Sequence, residues 1–291
     1  MKNRALLSLT ASMLIFGTIG IFRKYIPLSS GLLAFSRGII GAAFIIILLF
    51  AIKKPFSFKN TGKNLFLLCF SGAFMGFNWI LLFESYSHTT VAAATLCYYM
   101  APVIVILLSP FVFKEKLGAK KLLCVTAAVL GMVLVSGILQ TGADFSQLRG
   151  ILLALGAAAL YAAVVIMNKT LAEVPAFEKT AVQLISSAAA VLPYVIFVEG
   201  FSFKEIAPYS GAMLLLVGIL HTGIAYALYF GSIGHLKAQT AAIFSYIDPV
   251  AAIILSALVL KEAIGPKEIF GAVLILGSVF VSELPEKEKT P

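Results

Sequence analysis

Asp248 falls in the middle of a long apolar run, about ten residues from either end. A charged group at that depth costs several kcal/mol unless it is neutralised or faces protein or water. Two readings are open. The carboxyl group exchanges a proton or binds a cation, or it hydrogen-bonds backbone groups freed by Pro249, whose nitrogen cannot donate. Arg37 lies about six residues into another apolar run. Its fork of donors matches a carboxylate, and its alternative is to snorkel to the nearer interface. A third set is aromatic and polar: Trp79 beside Asn78, Tyr98 with Tyr99, Tyr161 with Asn168, and His221, Thr222, Tyr226 and Tyr229 on one run. Thr222, Tyr226 and Tyr229 share a face by i, i+4, i+7 spacing. Side chains with apolar bodies and polar tips, arriving from several runs, are what a cavity for a mixed polar and apolar solute requires. Trp79, Tyr99, Tyr161, His221, Tyr226 and Arg37 are therefore the candidate binding residues, and Asp248 the candidate coupling residue.

Other chemistries find no footing. The three cysteines, Cys69, Cys97 and Cys124, sit inside apolar runs without CxxC or zinc spacing. His88, His221 and His235 are followed by Thr89, Thr222 and Leu236, so no HExxH is present, and GxxxxGK[ST] is absent. An aspartyl pair has only Asp144, in a loop, to join Asp248. The chain reads as a non-enzyme without a cofactor or metal.

The elements that must position these residues follow from composition. Of 291 residues, 60% are hydrophobic and 12% charged, and mean hydropathy is +1.02. A soluble domain is nearer half apolar and a quarter charged, and needs polar surface to cover its core. Lipid is the solvent here. Runs near 5–22, 31–52, 64–83, 91–112, 122–139, 150–168, 180–198, 211–230, 238–260 and 267–283 each approach the roughly 20 residues that cross a bilayer as a helix. The expected class is an all-α integral membrane protein of ten transmembrane helices, with no room for a soluble domain.

The net charge of +9 would point to nucleic acid in a soluble protein. Here the Lys and Arg residues sit in short loops, as in cytoplasmic loops of membrane proteins, and nucleic acid is not an expected partner. With the N-terminus inside, fifteen basic residues face the cytoplasm and six the outside. Both termini are expected to be cytoplasmic.

The chain also repeats itself. A shift of 147 positions lays Phe83 on Phe230, Ser85 on Ser232, His88 on His235, Tyr99 on Tyr246 and Pro102 on Pro249. Lys114-Glu115 then falls on Lys261-Glu262, and Gly118 on Gly265. Two units of five helices, 5–139 and 150–283, are expected. Because five is odd, the second must enter the membrane inverted, an architecture that places a substrate site where the halves meet. The segment from Tyr246-Ile-Asp-Pro-Val to Lys261-Glu262, echoed from Tyr99-Met-Ala-Pro-Val to Lys114-Glu115, resembles the EamA type of the drug/metabolite transporter superfamily. The resemblance implies a multi-pass transporter of the cytoplasmic (inner) membrane that moves a small-molecule substrate by alternating access. Its relatives include exporters of amino acids, other metabolites and toxic cations, alongside some importers. Export of a small metabolite or amino acid is the leading reading, and import or facilitated passage of a small cationic or polar solute the alternative. The lipid bilayer is one partner, and a second copy of the chain is another candidate. Ala101 stands where the second copy has Asp248, so any role of that acid is not duplicated.

Overall fold

The computed structural model describes residues 2–53, 58–113, 118–135, 145–171, 174–202, 206–233, 247–261 and 265–284, and every regular element among them is helical. In an apolar solvent a chain must satisfy its backbone N–H and C=O groups internally, and a helix does so within one segment. The first half contains α1 (Lys2–Gly17), α2 (Ile19–Lys24), α3 (Ser30–Ala51), α4 (Phe58–Lys63), α5 (Leu65–His88), α6 (Val91–Tyr98), α7 (Ala101–Phe113) and α8 (Ala119–Val135). The second contains α9 (Phe145–Thr170), α10 (Ala176–Tyr194), α11 (Pro208–Leu216), α12 (Ala225–Ile233), α13 (Ile247–Val259) and α14 (Pro266–Glu283). Among the described residues, six stretches are long and apolar enough to cross a membrane: 3–24, 30–51, 65–88, 145–168, 176–199 and 208–229. Shorter apolar helices occupy 93–105, 122–131, 247–259 and 269–278.

Four runs expected to be continuous are interrupted. The run at 5–22 breaks at Thr18, between α1 and α2. The run at 91–112 splits at Tyr99-Met100 into α6 and α7. Pro102, in the first turn of α7, cannot donate to the Tyr98 carbonyl, so the ladder fails there and restarts where a missing N–H costs least. The run at 180–198 contains Pro193 and passes into a π-helical turn, Val195–Glu199. The run at 211–230 holds a π-helical stretch, Val217–Ile224, between α11 and α12. Turns of this kind inside α-helices are frequent at functional sites.

Asp248 lies in the first turn of the described part of α13, Ile247–Val259. Residues 234–246, which the sequence assigned to the same span, lie outside the described residues, as do Glu115 and Glu262.

Packing joins the two halves throughout. α5 lies against α9 and α10, α3 against α10 and the 217–224 turn, α1 against α12 and α13, and α8 against α14. Small residues permit the approach. A Cβ on Gly72 would come within 2.5 Å of the Gln183 carbonyl, and one on Gly76 within 2.7 Å of Val191. The Gly72-x-x-x-Gly76 spacing thus forms the α5–α10 contact. Phe111 and Phe197 are 84% and 85% exposed, apolar outward faces suited to lipid.

Candidate functional site

A cavity of about 330 Å³ lies inside the bundle, walled by residues of both halves. It brings together Arg37 from α3, Trp79 from α5, Tyr99 from the α6–α7 break, Tyr161 from α9, Tyr226 from α12 and Asp248 from α13. A cavity of this size suits a small organic solute.

One end is built around Arg37, which is 4% exposed. Its Nε donates to the Thr222 hydroxyl at 3.0 Å. Its guanidinium carbon stands 4.1 Å from the centre of the Trp79 ring and 5.4 Å from that of Phe83, within cation–π range of both. The local fold explains the arrangement. Thr222 Oγ1 in turn donates to the Val217 carbonyl, five residues back, at 3.2 Å, a partner that the π-helical turn brings within reach. A Cβ on Gly41 would meet Thr222 Cγ2 at 2.5 Å, so glycine at this point of α3 is what lets Thr222 approach. The Trp79 indole N–H donates to the Tyr226 hydroxyl, and the Tyr226 ring lies edge-on to Phe16 at 5.2 Å.

The other end is built around Asp248. Tyr99, which caps the C-terminus of α6 with its N–H still bonded to the Thr95 carbonyl, hydrogen-bonds its side chain to the Asp248 carboxyl group. Tyr98 packs on Tyr99 at 5.9 Å and on Tyr161 at 5.4 Å, and its hydroxyl is held by Asn78. α1 closes the wall. A Cβ on Gly17 would fall 2.7 Å from both the Asp248 carbonyl oxygen and Ala251 Cβ. Tyr226 lies within electrostatic range of both Arg37 and Asp248. The cavity therefore has a cationic end, an acidic end and aromatic walls between.

His221 does not join the cavity wall. It is fully buried, pairs its Nε2 with Thr18 Oγ1 at 2.7 Å and packs edge-on to Phe22 at 4.9 Å. The π-helical register turns it toward α1 and α2 while Thr222 faces Arg37. Asn168 likewise belongs to a packing network, accepting from Gln183, which also donates to Ser71. Sequence reasoning missed Phe16, Gly17, Tyr86 and Thr95 on the wall. Tyr86 had a readable signal, since it lies seven residues from Trp79 and so shares its helical face.

With this geometry in view, comparison with known proteins is decisive for family. The profile of the EamA-like transporter family matches residues 3–137 and again 148–284. The chain belongs to the EamA-like transporter family. It is 31% identical over 256 residues to the uncharacterized transporter YxxF of Bacillus subtilis (strain 168), covering 87% of this chain and 81% of that one. The uncharacterized transporter YetK of the same organism is 27% identical over 294 residues, covering 98% and 86%. A solved crystal structure shares the fold of this chain with a TM-score of 0.66, at 20% identity over 97% of each chain. The chain is thus a multi-pass membrane transporter, and its medium and cargo are the bilayer and a small molecule.

Proposed function

We propose that this protein is a secondary active transporter of the drug/metabolite type. It exports a small metabolite or amino acid across the cytoplasmic membrane by alternating access, with both termini in the cytoplasm and Asp248 carrying the coupling proton. The supporting observation is the cavity: Asp248 on α13 and Tyr99 at a helix break meet inside it, walled by aromatic residues of both halves. Broken helices that meet at a central site are how secondary transporters combine a polar site with an apolar surround. Ten spans in two inverted units, 5–139 and 150–283, are consistent with the pairwise packing. The contact of α1 with α12 is matched by that of α9 with α5, and the contact of α1 with α13 by that of α9 with α6 and α7.

The test uses purified protein in liposomes. Asp248→Asn keeps the shape and most hydrogen-bonding capacity but cannot exchange a proton. The mutant should still exchange substrate down its gradient and lose accumulation driven by a pH gradient. Unaltered proton-driven accumulation by the mutant would assign Asp248 to holding Tyr99 instead.

A further inference from the structure

Arg37 is unusual among the buried polar groups in the degree to which it is left over. A guanidinium has five N–H donors and no acceptor. Thr222 takes the Nε donor, and among the described residues no carboxylate lies within salt-bridge distance of the remaining four. The aromatic faces of Trp79 and Phe83 attract the charge but do not accept in-plane hydrogen bonds. Removing such a group from water without a partner is expensive. The neighbourhood of the corresponding position in the other half, Leu184, makes a useful contrast. Gln183, on α10, is also buried and also reaches across to the other half, but Ser71 and Asn168 both bond to its amide. A neutral amide bonded to two protein groups stands in one half, and in the other a guanidinium with one protein acceptor that lines the cavity. A second orphan lies on the same cavity wall: the Thr95 hydroxyl is buried and without a hydrogen-bond partner.

We infer that Arg37 is the anion-recognition residue of the cavity and that the transported solute is a small organic carboxylate with a flat apolar body. The carboxylate takes the in-plane Nη donors of Arg37, the geometry that a guanidinium matches with two parallel bonds. Thr222 and Trp79 fix the plane of the fork, Thr222 by holding Nε and Trp79 by lying under the guanidinium. The apolar body lies against the aromatic wall that includes Phe16, Phe83 and Tyr226. This deepens the transporter reading and rests on it, since it names the solute of that same cavity.

Trp79 is the single tryptophan of the chain, and it lines the cavity in contact with Arg37, so its emission reports occupancy directly. The probes are 3-phenylpropionate, its neutral amide 3-phenylpropanamide, the cation 3-phenylpropylamine and zwitterionic phenylalanine, titrated into full-length protein in detergent. The acid should change Trp79 emission saturably, and at least tenfold more tightly than the amide. Arg37→Gln should abolish that preference, and Arg37→Lys, which keeps the charge but not the fork, should retain part of it. Phenylalanine binding more tightly than the acid would add an ammonium site near Asp248 without changing the role of Arg37. Three results would overturn the inference: amide or amine binding as tightly as the acid, an acid preference that survives Arg37→Gln in a well-folded protein, or no response to any acid. In the first case the cavity is still a solute site and the transporter reading stands. In the last, flux in liposomes decides that reading separately.

Discussion

The Asn78 amide donates to the Ala157 carbonyl at 2.5 Å, a side-chain bond that joins α5 to α9 in a region otherwise held by apolar packing. Interhelical hydrogen bonds in membranes average well under 1 kcal/mol and reach about 1.7. Asn78→Ala should therefore lower stability by about 1 kcal/mol, read from the unfolding midpoint in detergent, and should also loosen Tyr98, which Asn78 holds. Gly17 is the opposite case, a place where adding atoms is costly. Gly17→Val would force α1 away from α13 at Asp248, and overpacking of this kind costs about 1–3 kcal/mol. The variant should unfold at lower temperature and lose transport more than Asn78→Ala does. Much of the residue-scale site was legible in the sequence. Trp79, Tyr161 and Tyr226 sit too deep in apolar runs to be interfacial anchors, and Arg37 and Asp248 carry charge where charge is expensive. Gly17 and Thr95 were not legible, because a glycine or threonine in an apolar helix looks the same whether it meets a cavity, a neighbour or lipid.

The elements divide in a similar way. Hydrophobic length reveals where a chain enters and leaves the bilayer, and the runs at 31–52 and 64–83 closely match α3 and α5. It is silent on the interruptions. At Tyr99-Met100 the donor missing from Pro102 ends the ladder, whereas Val217–Ile224 holds no proline and its widening leaves no such mark in the sequence. Pro102 was visible, but whether a proline bends a helix or starts a new one depends on what receives the freed carbonyl. The Gly72 and Gly76 pair makes a direct test of the α5–α10 crossing. Gly72→Leu should separate the helices, seen as loss of cross-linking between cysteines introduced at Met75 and Val191. The π-helical stretch can be tested by subtraction. Deleting Gly218 should let the α-helical ladder close and change the angle at which α12 presents its side chains. Tyr226 would then leave the cavity and Trp79 would lose its hydroxyl partner, changing Trp79 emission before any solute is added.

At the scale of the whole molecule, orientation is the property most directly open to test. A reporter active only outside the cell, fused after Pro291, should be silent, and the same reporter inserted at 141 should be active. The reverse pattern would overturn the reading of the basic residues. The pairing of α5 with α9, α3 with α10 and α8 with α14 also means that any rocking of one half against the other must slide or part these contacts. The same interleaving sets an order of events at the ribosome. When the first half has been made, Ser71 is already in the membrane without its partner Gln183, and Asn78 has Tyr98 but still lacks Ala157. Until then those groups lie open to any protein that recognises unpaired polar side chains in lipid. The nascent chain therefore passes through a period of exposure that ends only when α9 and α10 insert. Either half made alone should be cleared by membrane quality control, and the two halves made together as separate chains should protect each other.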